Sequence, residues 1–532
     1  MPLPTSILSP ALSRRQTVRK PSARSRGGIV VTQNRIASEI GARVLKEDGH
    51  AIDAAVAAAF AVGVVEPWMS GIGGVGAMLV RDAKSGAVTT YDFGPVSPRN
   101  LDPADYALSG GTSENIFGWP GVIGNRNVSG PYSVCTPTQP LGLARAHGRF
   151  GRKRWRELLA PAVAAAEHGL TVDWVAALYI NSAINDLAAD PGSRARFLRN
   201  GLVPMPSPAA TPETVVRLAM PDLARTLSML ASEGAGAMYE GPLARAIVDD
   251  LGAMGGSLGL DDLTHARVVE GAPRAISYRD RTIHVLSELN GGPTLAVAWD
   301  ALKKRARSPG QEPDVETFAA YANALKAAWM HRFEHLGDAG QRTAPTSTTH
   351  LAVVDRDGNM VTLTQTLLQL FGARVVLPKT GILLNNGMNW FDPEPGRPNS
   401  IAPGRRALAN YAPAIMTGGD ETIAIGGCGG RRIIPAVFQL LSMVADFGFD
   451  LDTALHTPRI DVSGTEHVTA DRRLAIEVVD RLAQEHDVIL AEGVPYPFPF
   501  TIASAVARRG IENEGATEPS NPWSEAVSED DV

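Results

Sequence analysis

Residues 348–366 read Thr348-Thr349-His350-Leu351-Ala352-Val353-Val354-Asp355-Arg356-Asp357-Gly358-Asn359-Met360-Val361-Thr362-Leu363-Thr364-Gln365-Thr366. Two runs rich in β-branched and apolar residues flank Asp-Arg-Asp-Gly-Asn, a pattern that predicts strand, turn, strand. If the chain is cut before Thr348, that residue carries both a hydroxyl nucleophile and a free α-amine. The amine then serves as the base, so no histidine or carboxylate partner is needed. An α-amine titrates near ~7.7, which leaves a useful share of it unprotonated at neutral pH. Left uncut, Thr348 and Thr349 are two β-branched residues opening a strand.

The rest of the chain narrows the choice. With 532 residues it can bury a large core, and its net charge of −6 points to neither a nucleic-acid partner nor a polybasic membrane surface. Its cysteines, Cys135 and Cys428, read as buried small apolar residues rather than a disulfide framework. No stretch reaches the ~18 apolar residues of a membrane span. The segment 1–27 carries Arg14, Arg15, Arg19, Lys20, Arg24 and Arg26 and no acid. It is expected to be flexible, and it lacks the apolar run of a signal peptide, so a cytoplasmic location is expected. Apolar spacing predicts helices in the first ~65 residues, from Arg154 to about Leu187, over Met220–Ala235, Leu243–Met254 and Val315–His335, and again at Leu440–Phe447 and Arg473–Glu485. Strands are expected at Ala77–Arg81, Val88–Phe93, Ala275–Val285, Leu351–Val354, Met360–Thr366, Arg374–Leu377, Ala414–Thr417 and Thr422–Ala424. Residues 512–532, rich in Glu, Asp, Ser and Pro, are expected to be a disordered acidic tail.

Several blocks recur together in a recognisable order: Ala37-Ser38 with Gly41 through Asp53-Ala54-Ala55-Val56, Glu66-Pro67 with Ser70-Gly71-Ile72-Gly73-Gly74, Thr348-Thr349-His350, Gly381 through Asn385-Asn386, Gly429-Gly430-x-Arg432-Ile433, and Ala454 to Pro458-Arg459. From about Gly28 to about Gly510 the chain resembles the γ-glutamyltransferase family of N-terminal-nucleophile hydrolases. The resemblance implies an α+β fold, a four-layer αββα sandwich, cut between Ser347 and Thr348. The products, 1–347 and 348–532, would carry a large subunit, 28–347, and a small one, 348–511, that stay together as a heterodimer, with a dimer of these heterodimers as a further expectation. It also implies roles. Thr348 is the nucleophile, Thr366 supports its hydroxyl, and the backbone N–H groups of Gly429 and Gly430 hold the oxyanion. No cofactor is implied, and the partner is a small-molecule amide.

At the acyl pocket the family pattern breaks. The arginine of the family's Asp-Phe-Arg-Glu is Gly94, the asparagine after Thr-x-Thr is Leu368, the glutamine and aspartate after Asn-Asn are Gly387 and Trp390, and the serine pair is Ala409-Asn410. The pocket positions Leu368, Asn386, Gly387, Trp390, Asn410 and Tyr411 are therefore more apolar than a glutamyl head group needs. Arg405 and Arg406 are the candidate carboxylate anchors. The texture Thr364-Gln365-Thr366, Leu370-Phe371-Gly372-Ala373, Phe391 to Arg397 and Ser400 to Arg406 is similar to the acylase-like branch, including cephalosporin acylase-type members. An amide hydrolase with a non-glutamyl acyl group is expected. The alternatives are a true γ-glutamyl hydrolase or transpeptidase acting on glutathione-like substrates, and a catalytically eroded binding protein. The short stretch Ala339–Ser347 before the nucleophile leaves a new chain end little slack.

Two other motifs compete. Gly71-Ile72-Gly73-Gly74-Val75-Gly76 matches a dinucleotide fingerprint in letters, but it enters a strand where such a motif opens a helix. His331-Arg332-Phe333-Glu334-His335 matches an inverted zinc-peptidase pattern, and it also suits a solvated helix end with basic residues; no metal is assigned to it.

Overall fold

Leu351 and Val353 join one buried cluster while their neighbours Ala352 and Val354 join another, and Ile423 and Ile425 part from Ala424 in the same way. That period of two places each strand between two cores, and it builds two sheets back to back. The computed structural model describes residues 17–112, 119–209, 211, 214–304, 310–336, 347–464 and 466–532.

The first sheet has seven strands in the spatial order Glu525–Ser528, Ile29–Thr32, Ser347–Val354, Met360–Leu368, Val75–Arg81, Val88–Phe93, Val269–Gly271. The second also has seven, in the order Ala23–Ser25, Glu512–Thr517, Ile502–Arg509, Glu421–Cys428, Ala414–Gly418, Arg281–Val285, Arg274–Tyr278. Neighbours in both sheets run antiparallel. The alanine-rich helix Ala51–Val65, whose small side chains permit close approach, shares a core with the outer face of the first sheet. Helices Gly292–Leu302, Val315–His335 and Ile433–Phe447 cover the second. The architecture is a four-layer αββα sandwich.

The inner faces meet closely. The Thr362 hydroxyl donates to the Ile425 carbonyl at 3.0 Å, across from one sheet to the other. A side chain on Gly426 would run into the His350 ring, so glycine is required where the imidazole fills the gap.

Four expectations need correction. Residues 512–532 are not a disordered tail: Glu512–Thr517 and Glu525–Ser528 are strands of the two sheets. The flexible segment 1–27 ends in order as well, because Ala23–Ser25 pairs with Asn513–Gly515 and the Lys20 ammonium donates to the Ser524 carbonyl at 2.6 Å. Residues 154–187 are not one helix. Gly169, at φ +87°, ends the Trp155–His168 helix, and Leu170–Thr171 pairs with Arg217–Leu218 before Trp174–Ser182 begins. Arg374–Leu377 forms no strand; Val376 makes an isolated bridge to Leu383. Residues 1–16 and the stretch 337–346 ahead of Ser347 and Thr348 lie outside the described residues.

Candidate active site

Thr348 is the second residue of the Ser347–Val354 strand, and only 5 % of its surface is exposed. The ladder with Met360–Leu368 slips at this point: Ser347 faces Leu368 and Thr349 faces Gln365, so the single residue Thr348 opposes Thr366 and Leu367. Such a bulge re-aims a side chain at the end of a ladder. The Thr348 hydroxyl donates to the Thr366 hydroxyl oxygen at 3.3 Å. Thr366 Oγ1 also accepts the Leu368 N–H at 2.8 Å, and Leu368 has φ +85°, a left-handed conformation costly for a residue with a side chain. The second threonine thus holds both the Thr348 hydroxyl and the strained turn beneath it.

Opposite, the Glu421–Cys428 strand leads through Gly429, at φ +144°, and Gly430, at φ +61°, into the turn Gly430–Arg432 and the helix Ile433–Phe447. His350 faces Gly426 across the sheets. One two-residue step along each strand brings Thr348 to Cys428, with the glycine pair directly after it. The Thr348 backbone is among the groups that act electrostatically on the Cys428 thiol, in keeping with that register. A side chain on Gly429 would come within 3.2 Å of Thr501 Oγ1. Backbone amides at such a glycine turn before a helix are suited to a developing oxyanion.

Burial sets the charge states nearby. His350 accepts or donates at Nδ1 to Thr364 Oγ1 over 2.9 Å and at Nε2 to Thr362 Oγ1 over 3.2 Å, and burial pushes its pKa down to about 3. It is a neutral strut between the sheets. The Glu66 carboxyl accepts from the Thr349 hydroxyl at 3.4 Å, and burial raises its pKa to about 8.

Of the pocket residues, Leu368, Trp390 and Tyr411 come together in one buried cluster with Met388 and Ala409. The Trp390 and Tyr411 rings meet edge to face with centroids 6.3 Å apart. A side chain at Gly94 would collide with the Tyr411 hydroxyl and would come within 3.4 Å of Arg406 Nη2. Tyr411 and Arg406 therefore fill the place of the family's arginine. Arg406 is held by Asp92 at 2.7 Å, and Asp92 also accepts from Gly94 N at 3.0 Å and Asn290 Nδ2 at 3.3 Å.

Three candidates are engaged elsewhere. Asn386 fastens a loop, its Nδ2 donating to Val128 O at 2.7 Å and to Gln369 Oε1 at 2.6 Å while its Oδ1 accepts from Gln369 N at 3.0 Å. Gly387 is packed against Cys135. The Asn410 oxygen accepts from the buried Arg332 at 2.8 Å. Arg405 is exposed, and Arg406 is the arginine that reaches the pocket wall. Arg332 turns inward from the His331–His335 segment, and among the described residues no group of three or more His, Cys, Asp or Glu is placed to hold a metal.

Sequence reasoning named Arg406 and Tyr411 but missed Asp92, the acid that holds Arg406 beside the pocket. Its signal was weak: it is a polar residue at the end of an apolar strand, joined to its partner only by the fold.

A sequence model of the gamma-glutamyltranspeptidase family matches residues 37–346 and 337–527. The chain is 34% identical over 482 residues to the acylase ACY 1 proenzyme of Pseudomonas sp. (strain SE83), covering 84% of each. It is 28% identical over 489 residues to the glutathione hydrolase proenzyme of Bacillus subtilis (strain 168), covering 81% of this chain and 80% of that protein. In structure it is similar to the cephalosporin acylase from Bacillus halodurans, with a TM-score of 0.83 at 23% identity over 97% of this chain and 98% of that one. The chain belongs to the gamma-glutamyltranspeptidase family and is an amidohydrolase or acyltransferase of that type.

Proposed function

We propose that the chain is a self-processing N-terminal-threonine acylase that hydrolyses amides whose acyl group is not γ-glutamyl. The observation that carries the chemistry is the Thr348 hydroxyl on the Thr366 hydroxyl at 3.3 Å, at a bulged strand end one step from the Cys428-Gly429-Gly430 turn.

Processing begins when Thr348 Oγ attacks the Ser347 carbonyl carbon. The C–N bond to Thr348 breaks as the ester forms, and the nitrogen takes up the hydroxyl proton. Water then hydrolyses the ester to leave a Ser347 carboxylate, a free Thr348 amine and its hydroxyl. In turnover the amine takes the proton from Oγ as Oγ attacks the substrate amide, and the glycine amides hold the oxyanion. The proton passes to the leaving amine, and water resolves the acyl ester by the same route in reverse.

Specificity follows from the pocket wall. A glutamyl α-amine would meet Leu368, Trp390 and Ala409 instead of acceptors, and each polar group buried without a partner costs ~1–3 kcal/mol. Arg406 is the cation offered to an acyl carboxylate in this reading, already balanced by Asp92. The relatives named acylase support this reading, and those named glutathione hydrolase support the alternative. Comparing kcat/KM on glutaryl- and γ-glutamyl-p-nitroanilide separates them, with Thr348→Ala as the inactive control. Faster glutaryl hydrolysis is expected. A γ-glutamyl rate equal to or above it would overturn the acyl assignment.

A further inference from the structure

The Ala51–Val65 helix ends at Glu66, and the residues after it turn back across the end of the bulged ladder. Met69 N donates to Glu66 O at 3.0 Å, and the chain lies so close on its own helix that a side chain on Gly63 would come within 2.9 Å of Gly71 Cα. From there the turn reaches both strands of the site. Met69 O accepts Leu367 N at 3.1 Å and Trp68 O accepts Phe371 N at 3.0 Å. Leu367 is one of the two residues that Thr348 opposes, so the turn takes up this N–H where the ladder slips. To the strand that carries Thr348 the turn offers the Glu66 carboxyl, which accepts from the Thr349 hydroxyl at 3.4 Å. Thr349 is fully buried and Glu66 is 5 % exposed. Burying a carboxyl there costs stability that an apolar side chain would not, even with this partner.

We infer that Glu66 is a positioning residue that anchors Thr349, and through it the chain end created by cleavage before Thr348. This rests on the proposed self-processing. In the uncut chain Thr348 is held by a peptide bond on each side. Scission removes the bond to Ser347, and the first residues of a chain are poorly ordered unless tied down. Thr349 is then the second residue of its chain. Its neighbour across the ladder, Gln365, is already fixed to the helix layer: the carboxamide donates to Ala59 O at 2.9 Å and Ser70 Oγ at 3.1 Å and accepts from Gln139 Nε2 at 3.0 Å. Glu66 extends that anchorage to the strand that begins at the nucleophile.

The anchor works as a neutral group. Burial raises the Glu66 pKa to about 8, with Asp173 adding to the rise, so at neutral pH it is a protonated acid whose carbonyl oxygen accepts the hydroxyl. Glutamine keeps that oxygen and the length of the side chain, and leucine does not keep the oxygen.

The test uses the full chain carrying Glu66→Leu, Glu66→Gln, Thr349→Val, or Glu66→Leu together with Thr349→Val, following self-cleavage by intact mass and measuring kcat and KM on a chromogenic amide. Glu66→Leu and Thr349→Val should cleave themselves near the wild-type rate, because the uncut chain is tethered on both sides. Each should then lose roughly fivefold in kcat with KM unchanged, the worth of one neutral hydrogen bond. The double variant should lose no more than either single one, since both remove the same bond. Glu66→Gln should keep most of the turnover that Glu66→Leu loses. Full kcat in either single variant, self-cleavage falling together with turnover, losses that multiply in the double variant, or Glu66→Gln falling as far as Glu66→Leu would each overturn the anchor. Where Glu66→Leu does not fold, full kcat in Thr349→Val overturns it alone, and a selective loss of kcat there upholds it. A wild-type chain that stays uncut would instead overturn the reading on which the anchor rests.

Discussion

Replacing Thr366 by valine keeps the shape of the side chain and removes one oxygen, at which two hydrogen bonds among the described residues meet. The first is the Leu368 N–H at 2.8 Å. Leu368 is 2 % exposed, so its amide would be left buried without this acceptor, at a cost of ~1–3 kcal/mol in stability. The bond also helps hold φ +85° at Leu368, so the loss should fall toward the upper end of that range. The second is the Thr348 hydroxyl at 3.3 Å, long for an O–H···O bond and therefore worth ~0.5–1.5 kcal/mol net. At ~1.36 kcal/mol per decade of rate, that is roughly twofold to thirteenfold. Urea denaturation and initial rates on a chromogenic amide should show Thr366→Val destabilised and about tenfold slower in kcat with KM little changed, and Thr366→Ser close to wild type in both. A Thr366→Val enzyme that is destabilised but turns over at the full rate would refute the claim that this hydroxyl positions the nucleophile.

Three further outcomes are expected. His350 is neutral when folded, with its pKa lowered from 6.5 to about 3, so below pH 6.5 the unfolded chain binds a proton that the folded chain does not. Its contribution is therefore fully present above 6.5 and is lost as pH falls toward 3, by up to ~1.4 kcal/mol per pH unit; urea midpoints at pH 7 and 5 should differ less in His350→Asn than in wild type. Deleting residues 525–532 removes the edge strand on Ile29–Thr32 and the Arg356 partner Glu529, so soluble yield and protease resistance should drop sharply, where loss of a disordered tail would change neither. Asp92→Asn removes the carboxylate that holds Arg406 at 2.7 Å beside the pocket, so KM for acyl groups should rise more than kcat falls, measured on a series of anilides.

What was legible in the sequence was local. Thr348, Thr366 and the Gly429-Gly430 turn lie in short contiguous motifs whose spacing is set by strand geometry, and the structure brings them to one place. The helix Val315–His335 was also readable to its ends, because Asp314 caps it and the apolar spacing runs its whole length. The tail was not. Its polar residues look solvent-bound by composition, yet Asn513 donates to Gly27 O at 2.7 Å and Glu518 pairs with the buried Arg459 at 2.5 Å. No pattern within residues 512–532 announces partners so far back along the chain. The same limit hid the pairing of Asp92 with Arg406, whose members meet only when the sheets and their loops have closed. Arg374–Leu377 misled for the opposite reason: four residues of strand-like texture sit in a loop held by side chains such as Ser193, whose hydroxyl donates to Arg374 O at 2.7 Å.

The central claim is that Thr348 becomes a new N-terminus and that this event creates the enzyme. Intact-mass analysis with N-terminal sequencing of the purified protein, alongside activity on an acyl anilide, tests it directly. The account predicts two chains, one ending at Ser347 and one beginning at Thr348, both activity and cleavage being absent from Thr348→Ala. An uncut chain that hydrolyses the anilide at the full rate would contradict it.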